Sequence, residues 1–90
     1  MRAPLPLGRV VATPGALEVL EEAGGHPFTY IARHAMGDWG DLCAFDRKEN
    51  ARSLRYGWRV LSSYGVGEGR VWVITEADRS ATTILLPEEY

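Results

Sequence analysis

The sequence predicts an α+β domain: a small antiparallel sheet with about three helices packed on one face. Three observations predict it. Apolar residues recur at three- and four-residue spacing through the first half, the period changes to two from Trp58, and short glycine-rich turns punctuate the second half. Residues 7–12 suit a short strand. Thr13 then provides an N-cap, Pro14 the first helical position, and Gly24-Gly25 a left-handed stop. Ala16, Leu17, Leu20 and Ala23 share the apolar face of this first helix, opposite Glu18, Glu21 and Glu22. A second helix starts at Pro27 and ends near Ala35, with Phe28, Ile31 and Ala35 spaced for burial. Gly37-Asp38-Trp39-Gly40-Asp41 breaks it. A third fits residues 43–55, with Ala44, Ala51 and Leu54 inward, and stops at Gly57.

Residues 58–64 and 70–76 are rich in β-branched and aromatic types, and Gly65–Gly69 joins them as a hairpin loop. Ala77–Ser80 turns the chain into a last strand over Ala81–Leu86, which Pro87 ends because proline cannot donate to a ladder. The expected sheet is a three-stranded antiparallel meander, or four strands if the N-terminal segment joins it. No repeat or linker divides residues 1–90, so they read as one domain.

Composition narrows the function. The 90 residues are 46% hydrophobic and 24% charged, in keeping with an ordinary globular domain. A formal charge of −2 and a pI of 5.6 disfavour a dedicated nucleic-acid binder, which relies on clustered positive charge. One cysteine, Cys43, excludes an intramolecular disulfide and a multi-cysteine zinc site. Prolines 4 and 6 interrupt the start where a signal peptide needs a continuous apolar region, and no run is long enough to span a bilayer. The expected compartment is the cytoplasm.

Two segments could carry chemistry. In Gly37–Asp41, two glycines permit a sharp turn, and Asp38, Asp41 and His34 offer oxygen and nitrogen ligands around Trp39. The alternative is a helix connection in which Trp39 plugs the core and Asp41 caps the third helix. In Glu76–Ser80, Glu76 or Asp78 could act as a general base beside Arg79. The alternative there is an Asp78-nucleated turn with Arg79 ion-paired to a nearby acid. Cys43 suits a small buried thiol, and His34 lies near a helix end where the dipole tolerates positive charge. Gly65, Gly67 and Gly69 lack the Lys-Ser/Thr ending of a phosphate loop. Lys48, Arg52 and Arg55 share one side of the third helix but are mixed with Asp46 and Glu49, as on a solvated face.

Residues 7–17, 37–42 and 72–90, above all the C-terminal block from Trp72 to Tyr90, resemble a family of small bacterial proteins labelled "plasmid related", found on mobile elements. The resemblance implies no established activity and no cofactor. Some members carry a label tying them to the methylation subunit of a type I restriction system. This chain has neither a glycine-rich cofactor loop after a strand nor an Asn-Pro-Pro-Tyr/Phe-type motif, and it is too short for a doubly wound sheet.

The expected function is a non-enzymatic protein-binding module without cofactor or metal. Its candidate site is Asp38, Trp39, Asp41, Glu76, Asp78 and Arg79, gathered into one shallow surface at one end of the domain. Three tryptophans and four tyrosines suit interface anchors. The competing function is a small metal-dependent hydrolase or nuclease using Asp38, Asp41, Glu76 and Asp78. The partner is expected to be a protein rather than a nucleic acid or a membrane, and the chain a monomer or weak homodimer.

Overall fold

The computed structural model describes residues 4–90, so Met1–Ala3, part of the start weighed above against a signal peptide, lie outside the described residues. The chain is α+β. It runs β1 (Arg9–Ala12), α1 (Pro14–Glu22), α2 (Pro27–Ala35), α3 (Ala44–Tyr56), β2 (Val60–Val66), β3 (Gly69–Thr75), β4 (Ala81–Leu85), and ends in a 3-10 turn over Pro87–Glu89. Strands β2, β3 and β4 form the antiparallel meander. The N-terminal segment joins as a fourth strand, parallel to β4, giving the order β1-β4-β3-β2. The β2–β3 loop is tighter than Gly65–Gly69: Val66 pairs with Gly69, and only Gly67-Glu68 turn the chain.

Alternation along the strands sorts the sheet into two faces. One carries Tyr64, Val66, Val71, Val73 and Ile84, which pack against Ala16 and Leu20 of α1 and Ile31 of α2. Burying this cluster removes the largest block of apolar surface from water and holds the domain together. The helices present narrower faces than their periodicity predicts. Leu17 and Phe28 remain 44% and 66% exposed, and Ala23 lies at the surface. In nine-residue helices only a turn or two meets the sheet, so the flanking apolar positions overhang it.

The third helix sits at the β2 margin and docks differently from expectation. Ala44 and Ala51 are exposed and Leu54 is half-buried, whereas Asn50 and Ser53 are buried. The reason is the free edge of β2. The Asn50 side-chain amide donates to the Leu61 carbonyl (2.6 Å) and accepts from the Leu61 N–H (3.1 Å), supplying what a neighbouring strand would supply. Further along that edge, the Asp41 N–H donates to the Ser63 carbonyl (2.7 Å) and the Ser63 N–H donates to the Trp39 carbonyl (3.0 Å). Gly40 lies between them at φ +72°, where a Cβ would collide with the Ser63 carbonyl, so the rung needs glycine. The Gly37–Asp41 segment is thus a patch on an open strand edge. Among the described residues no helix is long and apolar enough to cross a membrane.

Candidate functional site

The polar residues expected to work together have separate hydrogen-bond partners. Asp38 Oδ2 accepts from Arg33 Nε (2.7 Å) and its Oδ1 accepts from the Gly40 N–H (3.2 Å). The Arg33 guanidinium holds the Asp38 carboxyl below its ordinary range. Asp41 does not cap α3. Its Oδ2 accepts from Arg70 Nη1 at 3.2 Å, while Cys43 is the N-cap residue and makes no side-chain cap. Cys43 is exposed rather than buried. The two carboxylates are therefore held by different arginines. No group of three or more His, Cys, Asp or Glu among the described residues is placed to hold a metal ion.

The second segment folds as an Asp-nucleated turn, with the Ser80 N–H donating to Asp78 Oδ1 at 3.0 Å. Glu76 is exposed. Arg79 departs from expectation, because it pairs with main-chain carbonyls instead of an acid. Its Nη1 donates to the Trp58 carbonyl (2.6 Å) and the Glu76 carbonyl (3.2 Å), and its Nη2 donates to the Ser53 carbonyl (3.1 Å). The guanidinium clips the C-terminal end of α3 onto the β3–β4 turn, where positive charge also suits the helix dipole.

His34 is fully buried, contrary to a charged position at a helix end. Its Nδ1 lies 2.6 Å from Ser62 Oγ and its Nε2 lies 2.8 Å from Thr75 Oγ1. Thr75 Oγ1 is 2.7 Å from Thr82 Oγ1, which donates to the Leu7 carbonyl at 2.8 Å. These bonds fix every proton. Thr82 has given its only hydrogen to Leu7, so Thr75 donates to Thr82. Thr75 must then accept from His34, which places the ring proton on Nε2, and Ser62 donates to Nδ1. Burial, aided by the nearby Arg79 charge, pushes the His34 pKa down to about 4 and keeps the ring neutral. A serine hydroxyl hydrogen-bonded to an imidazole is the start of a nucleophilic arrangement, but Ser62 is completely buried and no substrate reaches it. The chain of hydroxyls ties α2 to three strands.

Among the described residues, two concavities are lined by tryptophan. Trp39 and Arg79 both line a pocket of about 530 Å³ that also includes His34, Leu5, Leu54 and Arg55. Asp38, Asp41, Glu76 and Asp78 do not line it. On the opposite face of the sheet, a groove of about 400 Å³ has Leu61 and Ile74 in its floor and Trp58, Trp72 and Tyr90 around it. The rings are organised: Trp72 meets Tyr90 edge-on at 5.8 Å, Tyr56 lies 5.4 Å from Trp58, and the Arg59 guanidinium sits 5.1 Å from the Tyr90 ring. Trp58 and Tyr90 are 49% and 61% exposed. Sequence reasoning counted these aromatics without placing them. The signal lay in the alternation of β3, which puts Trp72 and Ile74 on the face opposite Val71, Val73 and Thr75. Comparison of the chain with protein-family models, with curated proteins and with solved structures found no match.

Proposed function

We propose that the protein is a non-enzymatic protein-binding module of the cytoplasm, working in the plasmid or mobile-element setting that its C-terminal block resembles. The observation that supports this most is the ring of Trp58, Trp72 and Tyr90 around an apolar floor on the second sheet face. Large, half-exposed aromatics beside an arginine are the residue types that anchor protein interfaces. Asp46, Glu49 and Arg59 all border this groove, so its rim carries both signs, which suits a protein partner better than a phosphate backbone. An exposed, unpaired thiol suits a reducing compartment. Capture from a lysate of the native host tests the reading. The intact protein should retain a partner protein that the double variant Trp58→Ala/Tyr90→Ala loses, with the variant's circular dichroism unchanged. Retention of the same partner by the double variant would refute the groove. Retention of the intact protein on single-stranded DNA at low salt, lost in that variant, would make the partner a nucleic acid.

A further inference from the structure

The 530 Å³ pocket on the helical side is independent of the aromatic groove and has its own chemistry. Its walls are apolar where they come from Leu5, Leu54, Ala35, Ala51 and the Trp39 indole. Among the described residues its charged ones are Arg55 and Arg79, and no carboxylate lines it, in a chain whose formal charge is −2. Arg79 is held at two of its three nitrogens by the Ser53, Trp58 and Glu76 carbonyls, which fixes the guanidinium in place. Those three bonds use three of its five N–H groups. The Nε–H and one Nη2 hydrogen have no acceptor among the described residues. Two free N–H groups leave the guanidinium able to donate to a carboxylate. Arg55 has no acidic partner among the described residues; its guanidinium rests 5.5 Å from the Tyr56 ring. The volume lies within the range of small-ligand sites, which combine apolar walls with a few fixed polar groups.

We propose that this pocket binds a small carboxylic acid with an apolar body, the carboxylate on Arg79 and Arg55 and the body against Trp39 and Leu54. Two cations with no carboxylate partner among the described residues favour an anion, and the apolar walls favour an aliphatic or aromatic body over a polyol or a phosphate ester.

The probes are hexanoate and phenylacetate, each against its neutral amide, and a short peptide ending in leucine as free acid against the same peptide amidated. Either acid should raise the melting temperature by roughly 6–11 °C at ten times its Kd, with the amides inert. The Trp39 indole N–H resonance should move in proton–nitrogen spectra while those of Trp58 and Trp72 stay in place. A response confined to the free-acid peptide would support the same chemistry with a chain terminus as its source. Arg55→Gln should weaken binding about ten-fold or more, the loss of one charge-assisted contact. Ala51→Trp, at an exposed helix position that lines the pocket, should abolish binding by filling it while leaving the circular dichroism unchanged. Equal response to acids and amides, absence of any response, or undiminished binding by both variants would overturn the proposal.

Discussion

Arg79 stands at φ 62°, a left-handed conformation that side chains with a Cβ adopt at a cost, and it is the one such non-glycine among the described residues. Three carbonyl contacts hold it there. Removing them exposes a conflict between the two effects, which substitution can separate. Arg79→Ala loses the hydrogen bonds and keeps the strain, so urea melts should show a loss of about 2–3 kcal/mol. Arg79→Gly loses the same bonds but relieves the strain, and should be more stable than the alanine variant by about 1 kcal/mol. Asp38 offers the contrast. Its pair with Arg33 is 54% exposed on the aspartate side, so Asp38→Ala should stay within about 1 kcal/mol of the parent. Comparable losses in both alanine variants would mean that Arg79 acts as an ordinary surface charge. From the sequence, both residues read alike as exposed polar groups of a turn. What distinguishes them is whether a helix end comes to rest beside the side chain, and that depends on a contact 26 residues away.

At the scale of elements, the docking of α3 depends on Asn50. Asn50→Ala should lower stability by about 2 kcal/mol and speed hydrogen exchange at the Leu61 amide, because both main-chain groups of Leu61 lose their partner. Unchanged exchange at Leu61 would show that apolar contacts alone hold the helix. The elements themselves were legible: capping by Thr13 and the stops at Gly24 and Gly57 rest on local chemistry that the sequence states directly. The orientation of α3 was not. Counting apolar positions selects Ala44, Ala51 and Leu54, a rule suited to a helix lying over a sheet face. A helix placed against an open strand edge instead needs donors and acceptors, so Asn50 and Ser53 turn inward. The same gap hid the aromatic groove, since Trp58 and Tyr90 lie just outside regular elements and acquire a neighbourhood only when the sheet assembles. Likewise His34, unremarkable in the sequence, becomes central because one core-facing position on each of β2, β3 and β4, beside the ring, holds a hydroxyl: Ser62, Thr75 and Thr82.

For the whole molecule, that histidine sets a dependence on acidity. The folded state holds His34 neutral down to about pH 4, while the unfolded chain protonates it near pH 6.5. Between those values the unfolded state binds more protons, so stability falls as the pH drops through the window, by roughly 3 kcal/mol in all. Urea melts at pH 7 and pH 4.5 should show most of that fall, and His34→Gln should flatten it; an equal slope in the variant would assign the effect elsewhere. The pairing of β1 with β4 bears on a different stage of the protein's life. Leu7 receives its hydrogen bond from Thr82, 75 residues on, and Thr13 donates to Glu89, so the first strand finds its place only against the last. Closing so long a loop precedes any gain from the contacts it makes, which slows folding. On the ribosome, a nascent chain with β4 still in the exit tunnel has β1 unpaired and lacks Ile84 from its core. Arrested chains should stay protease-sensitive at every length until Tyr90 has cleared the tunnel, then become resistant in a single step. Protection gained earlier, with only the helices and the first hairpin outside, would mean that those elements fold without the sheet being closed.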